Sequence, residues 1–231
     1  MSFHFPNWRR QSVCFSLLAA FAVAASCDRL AVAQETKAER PGRARRGDRE
    51  IGFTPLFKGE ATENWKAYGK EGWPEGWKLE DGVLHRHASG GDLMTKQEYG
   101  DFDLRFGWKV SPGGNSGVMY RATESSEPAY VTGPEYQVLD DAKHKDGQNK
   151  ITSSGSLYAL YPPTEDVLKP AGEWNRSRIV VEGNHVRHFL NGKKVVDVEI
   201  GSDDWKAKFA ARESNDMKHF HEPPRRGHVC I

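Results

Sequence analysis

The 231-residue sequence has little cysteine, little net charge and only one long apolar run, and each shortage excludes a class of protein. Of its three cysteines only Cys230 lies beyond the N-terminal region, so internal disulfides cannot stabilise a folded domain there. The formal net charge is +1, and residues 1–50, with nine basic and five acidic side chains, carry the whole positive excess. A nucleic-acid-binding protein usually has a basic patch on its folded domain, so this class is disfavoured.

Several common catalytic motifs are absent as well. The sequence contains no Gly-x-Ser-x-Gly nucleophile motif, no phosphate-binding loop and no dinucleotide fingerprint. It does have enough apolar residues for a packed core, because hydrophobic residues make up 37% of the chain and charged residues 28%. The length favours one folded domain.

The N-terminal region has the pattern of an export signal. Arg9 and Arg10 precede an apolar run over residues 12–25, and this run is too short to span a bilayer. Small residues follow and end at Ala33, which predicts a signal peptide over residues 1–33. The protein is therefore expected to be exported, in the periplasm, outside the cell or anchored in the envelope.

A second processing pattern gives the anchored alternative. Residues 24–27 resemble a bacterial lipobox, which would make Cys27 a lipidated N-terminus and the only predicted membrane contact. Residues 34–50 are charged and almost free of large apolar side chains, so they predict a disordered linker between the leader and a domain over residues 51–231.

The region from residue 51 onward has short alternating runs separated by turn-forming residues, which predicts an all-β domain. Asp81-Gly82 and Asn191-Gly192 each lie between two such runs and predict hairpin turns. A single helix is predicted over residues 203–212, with Asp203 as its cap. The predicted strands span residues 77–80, 83–85, 101–110, 116–122, 135–139, 177–182, 186–190 and 194–200.

The densest polar pattern lies in residues 133–144. On a strand, Glu135 and Gln137 project from one face, and a carboxylate beside an amide suits sugar hydroxyls and proton transfer. His144 follows in an acidic loop and is a candidate proton carrier or metal ligand. The alternative is an ordinary exposed sheet face with polar side chains.

A second pattern, in residues 111–121, combines glycines with polar residues. Asn115, Gly117 and Arg121 share one predicted strand face, and Gly117 leaves a space on it. Arg121 could hold an oxyanion or form a cross-strand ion pair with Glu135, and the pattern leaves both open.

Histidine and tryptophan add weaker signals. His188 has the parity of a residue that points either into the core or toward a ligand, and no set of histidines reaches the specificity of a zinc signature. No cofactor is certain, and a divalent metal stays open. The tryptophans of the Gly-rich stretch, which include Trp65, Trp73 and Trp77, are candidate platforms for stacking on a sugar.

Taken together, nine motifs in fixed order resemble the bacterial exported domain of unknown function 1080, the 3-keto-disaccharide hydrolase family. The resemblance covers about residues 53–230. The motifs are Phe53-Thr-Pro-Leu-Phe-Lys-Gly59, Asn64-Trp65, Trp77-Lys-Leu-Glu-Asp-Gly-Val-Leu84, Gly90-Gly-Asp-Leu93, Tyr99-Gly-Asp-Phe102, Gly113-Gly-Asn-Ser-Gly117, Gly133-Pro-Glu-Tyr-Gln137, Pro170-Ala-Gly-Glu-Trp-Asn175 and His188-Phe-Leu-Asn-Gly192.

This resemblance implies a concanavalin A-like or laminin-G-like jelly-roll β-sandwich and a hydrolase or lyase that cleaves 3-keto-glycosides. The C3 ketone acidifies the C2 hydrogen, a base removes it, the C1 substituent leaves, and water then adds. The candidate catalytic residues are Glu135, His144 and His188. The candidate substrate-binding residues are Asn115, Arg121, Gln137, Asp92 and Tyr120.

The end of the sequence departs from the resemblance. Relatives continue after the Gly227-His228-Val229 segment with a further strand, whereas this sequence stops at Ile231. The resemblance therefore implies a sandwich without its C-terminal strand and an activity impaired by that loss. The alternative function is a non-catalytic carbohydrate-binding module, and a conventional retaining glycosidase comes third because it needs a second suitable carboxylate.

Overall fold

The computed structural model describes residues 1–4, 53–57, 62–211 and 221–231. Of these, residues 1–4, 55–57, 62–211 and 221–231 belong to one compact unit. The strands are β1 (Ser2–His4), β2 (Trp65–Ala67), β3 (Trp77–Glu80), β4 (Val83–Arg86), β5 (Leu93–Thr95), β6 (Phe102–Lys109), β7 (Asn115–Ala122), β8 (Glu135–Leu139), β9 (Asn175–Glu182), β10 (His185–Leu190), β11 (Lys193–Glu199) and β12 (His228–Cys230). The helices are α1 (Ala129–Thr132) and α2 (Asp203–Ala210), and two short 3₁₀ turns span Lys145–Gln148 and Lys150–Thr152.

These strands form two antiparallel sheets. One has seven strands in the order β11-β10-β9-β6-β1-β4-β3, and the other has five in the order β2-β5-β12-β7-β8. The inner faces of the two sheets supply one hydrophobic cluster, as in a β-sandwich. The predicted all-β sandwich is confirmed, whereas the missing C-terminal strand stays a prediction.

Strand β6 shows how the alternating pattern builds the core. Leu104, Phe106 and Trp108 are buried between the sheets. The side chain of Asp103, on the opposite parity, instead accepts hydrogen bonds from Arg178 at 2.8 Å. The period of two in the sequence therefore fixes which face of β6 is apolar.

Two hydrogen-bonded polar pairs cross this core. Ser177 of β9 lies 2.7 Å from the Tyr136 hydroxyl of β8 and accepts a hydrogen bond from the Trp108 indole at 2.8 Å. The Tyr120 hydroxyl of β7 lies 3.0 Å from Nε2 of His188 on β10. Each pair joins the five-stranded sheet to the seven-stranded sheet, and pairing compensates the cost of burying these polar atoms.

The predicted helix is present, but its cap is one residue earlier than expected. The Ser202 hydroxyl accepts a hydrogen bond from the backbone N–H of Trp205 at 3.1 Å, so Ser202 is the N-cap and Asp203 lies in the first turn. Trp205 is buried, and its ring centroid lies 5.1 Å from that of Phe209. The i and i+4 spacing thus anchors the helix on the core.

Strands β1, β2, β5 and β12 are absent from the sequence-based prediction. Each has only three residues, so no alternation extends far enough to predict a strand. Their places are set by partners far along the chain. For example, Cys230 of β12 pairs with Met94 and with Met119.

Most of the N-terminal predictions lie outside the described residues. These include the leader beyond His4, the lipid-anchor position Cys27 and the linker over residues 34–50. Among the helices that the structure describes, none is long and apolar enough to cross a membrane.

Candidate functional site

The candidate site lies on the outer face of the five-stranded sheet, where β7 and β8 pair. Met119 lies opposite Glu135, and Gly117 lies opposite Gln137. Since Val118 and Tyr136 point into the core, their sequence neighbours project outward. The predicted shared face of Glu135 and Gln137 is therefore present, on the side away from the seven-stranded sheet.

The absence of a side chain at Gly117 leaves room for the Glu135 carboxyl group. A Cβ atom at residue 117 would lie 1.7 Å from Oε1 and 2.5 Å from Cδ of Glu135. The carboxyl group therefore lies directly over the backbone of Gly117, in a space that any larger residue would fill. The sequence predicts this space, and the structure shows that Glu135 occupies it.

The surroundings of Glu135 keep its carboxyl group protonated near neutral pH. Burial raises its pKa from 4.5 to about 8, and the negative charges of Asp92 and Asp146 raise it further in the same direction. Burial also raises the pKa of Asp92, although Arg86, at 3.7 Å from Asp92, opposes this shift. A carboxyl group that titrates near pH 8 suits general acid and base catalysis.

Beside Glu135 the outer face is apolar and covered. Met119, Cys230 and Met94 follow one another across β7, β12 and β5, and they pack with Ala129 of α1. Burial raises the pKa of the Cys230 thiol well above its usual range, with Asp92 the next contributor, so the thiol stays protonated. Short helix α1 therefore closes this part of the face and leaves Glu135 at its border.

His144 lies in the loop that follows β8. Its Nδ1 accepts a hydrogen bond from the backbone N–H of Asp146 at 3.2 Å and lies 3.8 Å from the Asp146 carboxylate. Because the charge of Asp146 acts on Glu135, this loop borders the site. The His144 side chain is 20% exposed, so solvent reaches it.

The acidic residues of this loop stabilise the loop itself. Asp140 accepts a hydrogen bond from the backbone N–H of Gly113 at 2.7 Å, and Asp141 accepts two from Ser154. Within the described ranges, no group of three or more His, Cys, Asp or Glu side chains is placed to hold a metal ion. Asp140 and Asp141 thus stabilise the conformation of the predicted acidic loop.

The two amides of the predicted site differ in access. Asn115, at the start of β7, is exposed on the outer face. Gln137 is buried, because the segment around Ser156 pairs with β8 and the Gln137 amide contacts Thr152 O at 3.4 Å. Asn115 remains available to a ligand, whereas Gln137 supports the loop beside the site.

Tyr120, on β7, and His188, on β10 of the other sheet, lie in the core between the two sheets. Both are fully buried; the Tyr120 hydroxyl donates to Nε2 of His188, and the His188 Nδ1–H donates to Gly155 O at 3.2 Å. Burial lowers the pKa of His188 from 6.5 to about 4, so the imidazole is neutral. The structure does not bring this pair together with Glu135.

Arg121 also lies away from the site, and the cross-strand ion pair with Glu135, one of the two alternatives for Arg121, does not form. Arg121 has a φ of 51°, and its guanidinium donates to Gly183 O at 2.6 Å and lies 3.6 Å from Asp101. The left-handed backbone breaks the alternation at the end of β7, so parity from Asn115 onward does not predict its direction.

The proposed tryptophan platforms at Trp65 and Trp77 are wrong as well, because both rings are buried and donate hydrogen bonds to Leu56 O and Gly91 O. Trp73 packs on the core, donates to Trp77 O and is partly buried.

Sequence reasoning missed two charged neighbours of the site, Arg86 and Asp146. Arg86 ends β4 in the opposite sheet, so no local spacing relates it to Asp92. Asp146 follows His144 by two residues in the acidic loop, so the sequence does carry a signal for its position near the site.

Comparison with known proteins identifies the family of the chain. The model of the 3-keto-alpha-glucoside-1,2-lyase-like domain matches residues 52–231, which is most of the chain. The chain belongs to this family. The predicted resemblance to 3-keto-disaccharide hydrolases is thereby confirmed.

The relatives agree with the family assignment. A 3-keto-disaccharide hydrolase of Bacteroides thetaiotaomicron is 35% identical over 176 residues, which cover 67% of this chain and 61% of that protein. The chain therefore spans less than two thirds of the length of this relative. A crystal structure of a candidate glycosyl hydrolase from Parabacteroides distasonis matches with a TM-score of 0.71 and 32% identity, over 77% of this chain and 85% of that one. A second from the same organism matches with a TM-score of 0.60 and 29% identity, over 72% and 89%.

Proposed function

We propose that this domain cleaves 3-keto-glycosides, with Glu135 as the base that removes the C2 proton. The observation that carries the proposal is the carboxyl group of Glu135, which lies over Gly117 at the border of an otherwise covered sheet face. Family membership and the name of the Bacteroides relative support the choice of substrate class.

The chemistry needs a base of intermediate strength. In a 3-keto sugar the ketone stabilises the enolate that forms when the C2–H bond breaks, so the C2 hydrogen is far more acidic than that of an ordinary sugar. A carboxylate with a pKa of about 8 is a much stronger base than one with a pKa near 4, and a large fraction of it is still ionised at slightly alkaline pH.

Elimination and hydration complete the reaction. When the enolate collapses, the C1–O bond breaks and the aglycone leaves with a proton. Water then adds its oxygen to C1 and gives a proton to the acid that protonated the aglycone, while the proton held by Glu135 returns to C2, so the net result is hydrolysis. His144 is proposed as the acid for the leaving group because it lies in the loop that borders Glu135 and is reached by solvent.

Substrate orientation falls to the groups that remain accessible on this face. Asn115 is exposed at the start of β7, and Asp92 and Arg86 lie close enough to each other to act as one polar group beside Glu135. Gln137 acts indirectly, through the loop that it supports. A divalent metal is not part of the proposed reaction, and addition of a chelator in the assay tests this.

The decisive experiment compares a 3-keto-glucoside with its unoxidised parent, with and without chelator. The proposal expects cleavage of the keto sugar alone, and expects Glu135→Gln to abolish it while Glu199→Gln, an exposed glutamate on β11, retains it. Binding without cleavage would instead support the carbohydrate-binding module. The described tryptophans are all buried or partly buried, which offers such a module little aromatic platform.

Export is proposed as well, on the leader pattern of residues 1–33. Mass spectrometry of the N-terminus of protein recovered from a bacterial envelope fraction distinguishes cleavage after Ala33 from lipidation at Cys27. A chain that stays in the cytoplasm with residue 1 intact contradicts the proposal.

A further inference from the structure

The first residues of the chain form a strand in the middle of the seven-stranded sheet. Phe3 of β1 pairs with Leu84 of β4 on one side and with Trp108 of β6 on the other. In the order of the sheet, β4 and β6 each pair with β1 and not with each other. Within the described residues, β1 therefore makes the hydrogen-bonded connection between the β3–β4 hairpin and the other four strands.

The side chains of β1 fit this place on both faces. Phe3 is fully buried, and its ring centroid lies 6.4 Å from those of Trp77 and Phe106. On the outer side, the Ser2 hydroxyl lies 2.9 Å from Nδ1 of His85, and the His4 ring lies edge-on to Trp174 at 6.2 Å. A polar, aromatic, polar sequence is the pattern of a strand with one face in a core.

The backbone fit is close as well. The N–H of Arg86 donates to Met1 O at 3.0 Å, which continues the ladder one residue beyond the strand. A Cβ atom on Gly107 would lie 3.2 Å from His4 O, so a residue without a side chain stands at the closest approach of β6 to β1. The space between β4 and β6 thus accommodates one extended segment.

We propose that the space between β4 and β6 is a strand-acceptor site, which binds a short extended segment with a central aromatic side chain, and that Met1–His4 is its occupant. The segment forms main-chain hydrogen bonds with two strand edges, and its aromatic ring enters the core, as in other cases of recognition by strand addition. The same residues belong to the predicted leader, so cleavage of the leader would empty the site. An emptied site exposes two strand edges and the rings of Trp77 and Phe106.

A cross-linking experiment on the full chain tests where β1 lies. Paired residues on neighbouring strands are about 5 Å apart, which allows a disulfide, so Ser2→Cys with His85→Cys should form one under mild oxidation. The background carries Cys14→Ser and Cys27→Ser. The matched control is Ser2→Cys with Lys78→Cys, because Lys78 pairs with His85 from the far side and lies one strand further away. Equal cross-linking in both pairs, or none with residue 85, overturns the proposal.

A binding experiment tests whether the site accepts a strand. In the full chain, Phe3→Ala should lower Tm by roughly 10 °C, and Phe3→Leu by less. Phe3→Asp should empty the site, so a labelled peptide of residues 1–6 should bind this variant saturably, whereas the same peptide with Phe3→Asp should not. An unchanged Tm in Phe3→Ala together with no peptide binding overturns the proposal. If Phe3→Asp does not fold, the cross-linking result decides.

Discussion

The five-stranded sheet separates two buried ionisable groups: Glu135 lies on its outer face, and His188, which extends from β10 of the other sheet, lies against its inner face. On the outer face, burial raises the pKa of Glu135 to about 8, and on the inner face, burial lowers the pKa of His188 to about 4. Both groups are therefore uncharged near neutral pH. His188, however, uses both ring nitrogens in hydrogen bonds, to Tyr120 and Gly155.

Glu135 has no such partners. Its carboxyl group makes no hydrogen bond to any other part of the chain that the structure describes, and it is placed only by the space over Gly117. A desolvated group whose hydrogen-bonding capacity is met by the fold serves stability, whereas one whose capacity is unmet is available to a ligand. The contrast teaches that a strongly shifted pKa alone does not distinguish a catalytic group from a structural one.

The substitution Glu135→Gln should impair the catalytic function proposed for the outer face. It keeps the shape of the side chain but removes the base, so kcat/KM for a 3-keto-glucoside should fall by roughly 10³-fold. Steady-state kinetics measures this, with Glu199→Gln as the control. Full turnover in Glu135→Gln would remove Glu135 from the role of base.

The substitution His188→Ala should instead destabilise the core between the two sheets. It leaves a cavity and an unpaired Tyr120 hydroxyl in the core, so the free energy of unfolding should drop by roughly 3 kcal/mol. Chemical denaturation measures the drop, and kinetics on the folded protein should show a kcat close to that of the parent. A large loss of kcat at full folding would instead move His188 into the reaction.

Gly117→Ala sharpens the comparison because it moves the Glu135 carboxyl group without removing it. The new methyl group occupies the place of Oε1, and the flexible end of the glutamate swings away. Misplacement of a catalytic group by about 1 Å can cost 10²-fold, so kcat should fall by roughly that factor while Tm changes little. Ser116→Ala, at the neighbouring position, is the control. Equal losses in both variants would contradict the role of Gly117.

Glu135 and His188 should also make the folding stability depend on pH in opposite directions. The raised pKa of Glu135 makes folding stability decrease as pH rises from 4.5 to about 8, because only the unfolded chain ionises in that range. The lowered pKa of His188 makes stability decrease as pH falls from 6.5 to about 4, because only the unfolded chain gains the proton. Tm measured against pH should lose the first slope in Glu135→Gln and the second in His188→Gln. If the first slope persists in Glu135→Gln, or the second in His188→Gln, that residue is not the cause of the slope.

The rise of the rate with pH should follow the titration of Glu135. Because the base must be ionised, kcat/KM should rise with pH up to about 8. A pH–rate profile on the 3-keto substrate measures this smallest effect, and a plateau that begins near pH 5 would contradict the raised pKa.

Much of the sheet could be predicted from the sequence because period-two alternation is a local property. The strand over residues 135–139 is predicted with its observed bounds, and so is the shared face of Glu135 and Gln137. Alternation does not say which face meets the other sheet, however. The parity of His188 left both directions open, and only the pairing of whole sheets places it in the core.

Other features could not be predicted because they depend on residues far apart in the chain. The short strands β1 and β12 lack enough length for a pattern, and their neighbours come from distant segments. The left-handed conformation of Arg121 reverses a parity argument that holds for the residues before it. The charge of Asp92 reaches Glu135 only through the fold.

The polar pairs across the core have a mechanical consequence for the reaction. A purely apolar contact between two sheets resists separation but offers little resistance to sliding, since many registers bury similar area. The contacts of Ser177 with Tyr136, and of Tyr120 with His188, each exist in one register only. Strands β7 and β8 are thereby held against shear. Glu135, which lies on β8, is therefore held in a fixed position relative to the seven-stranded sheet.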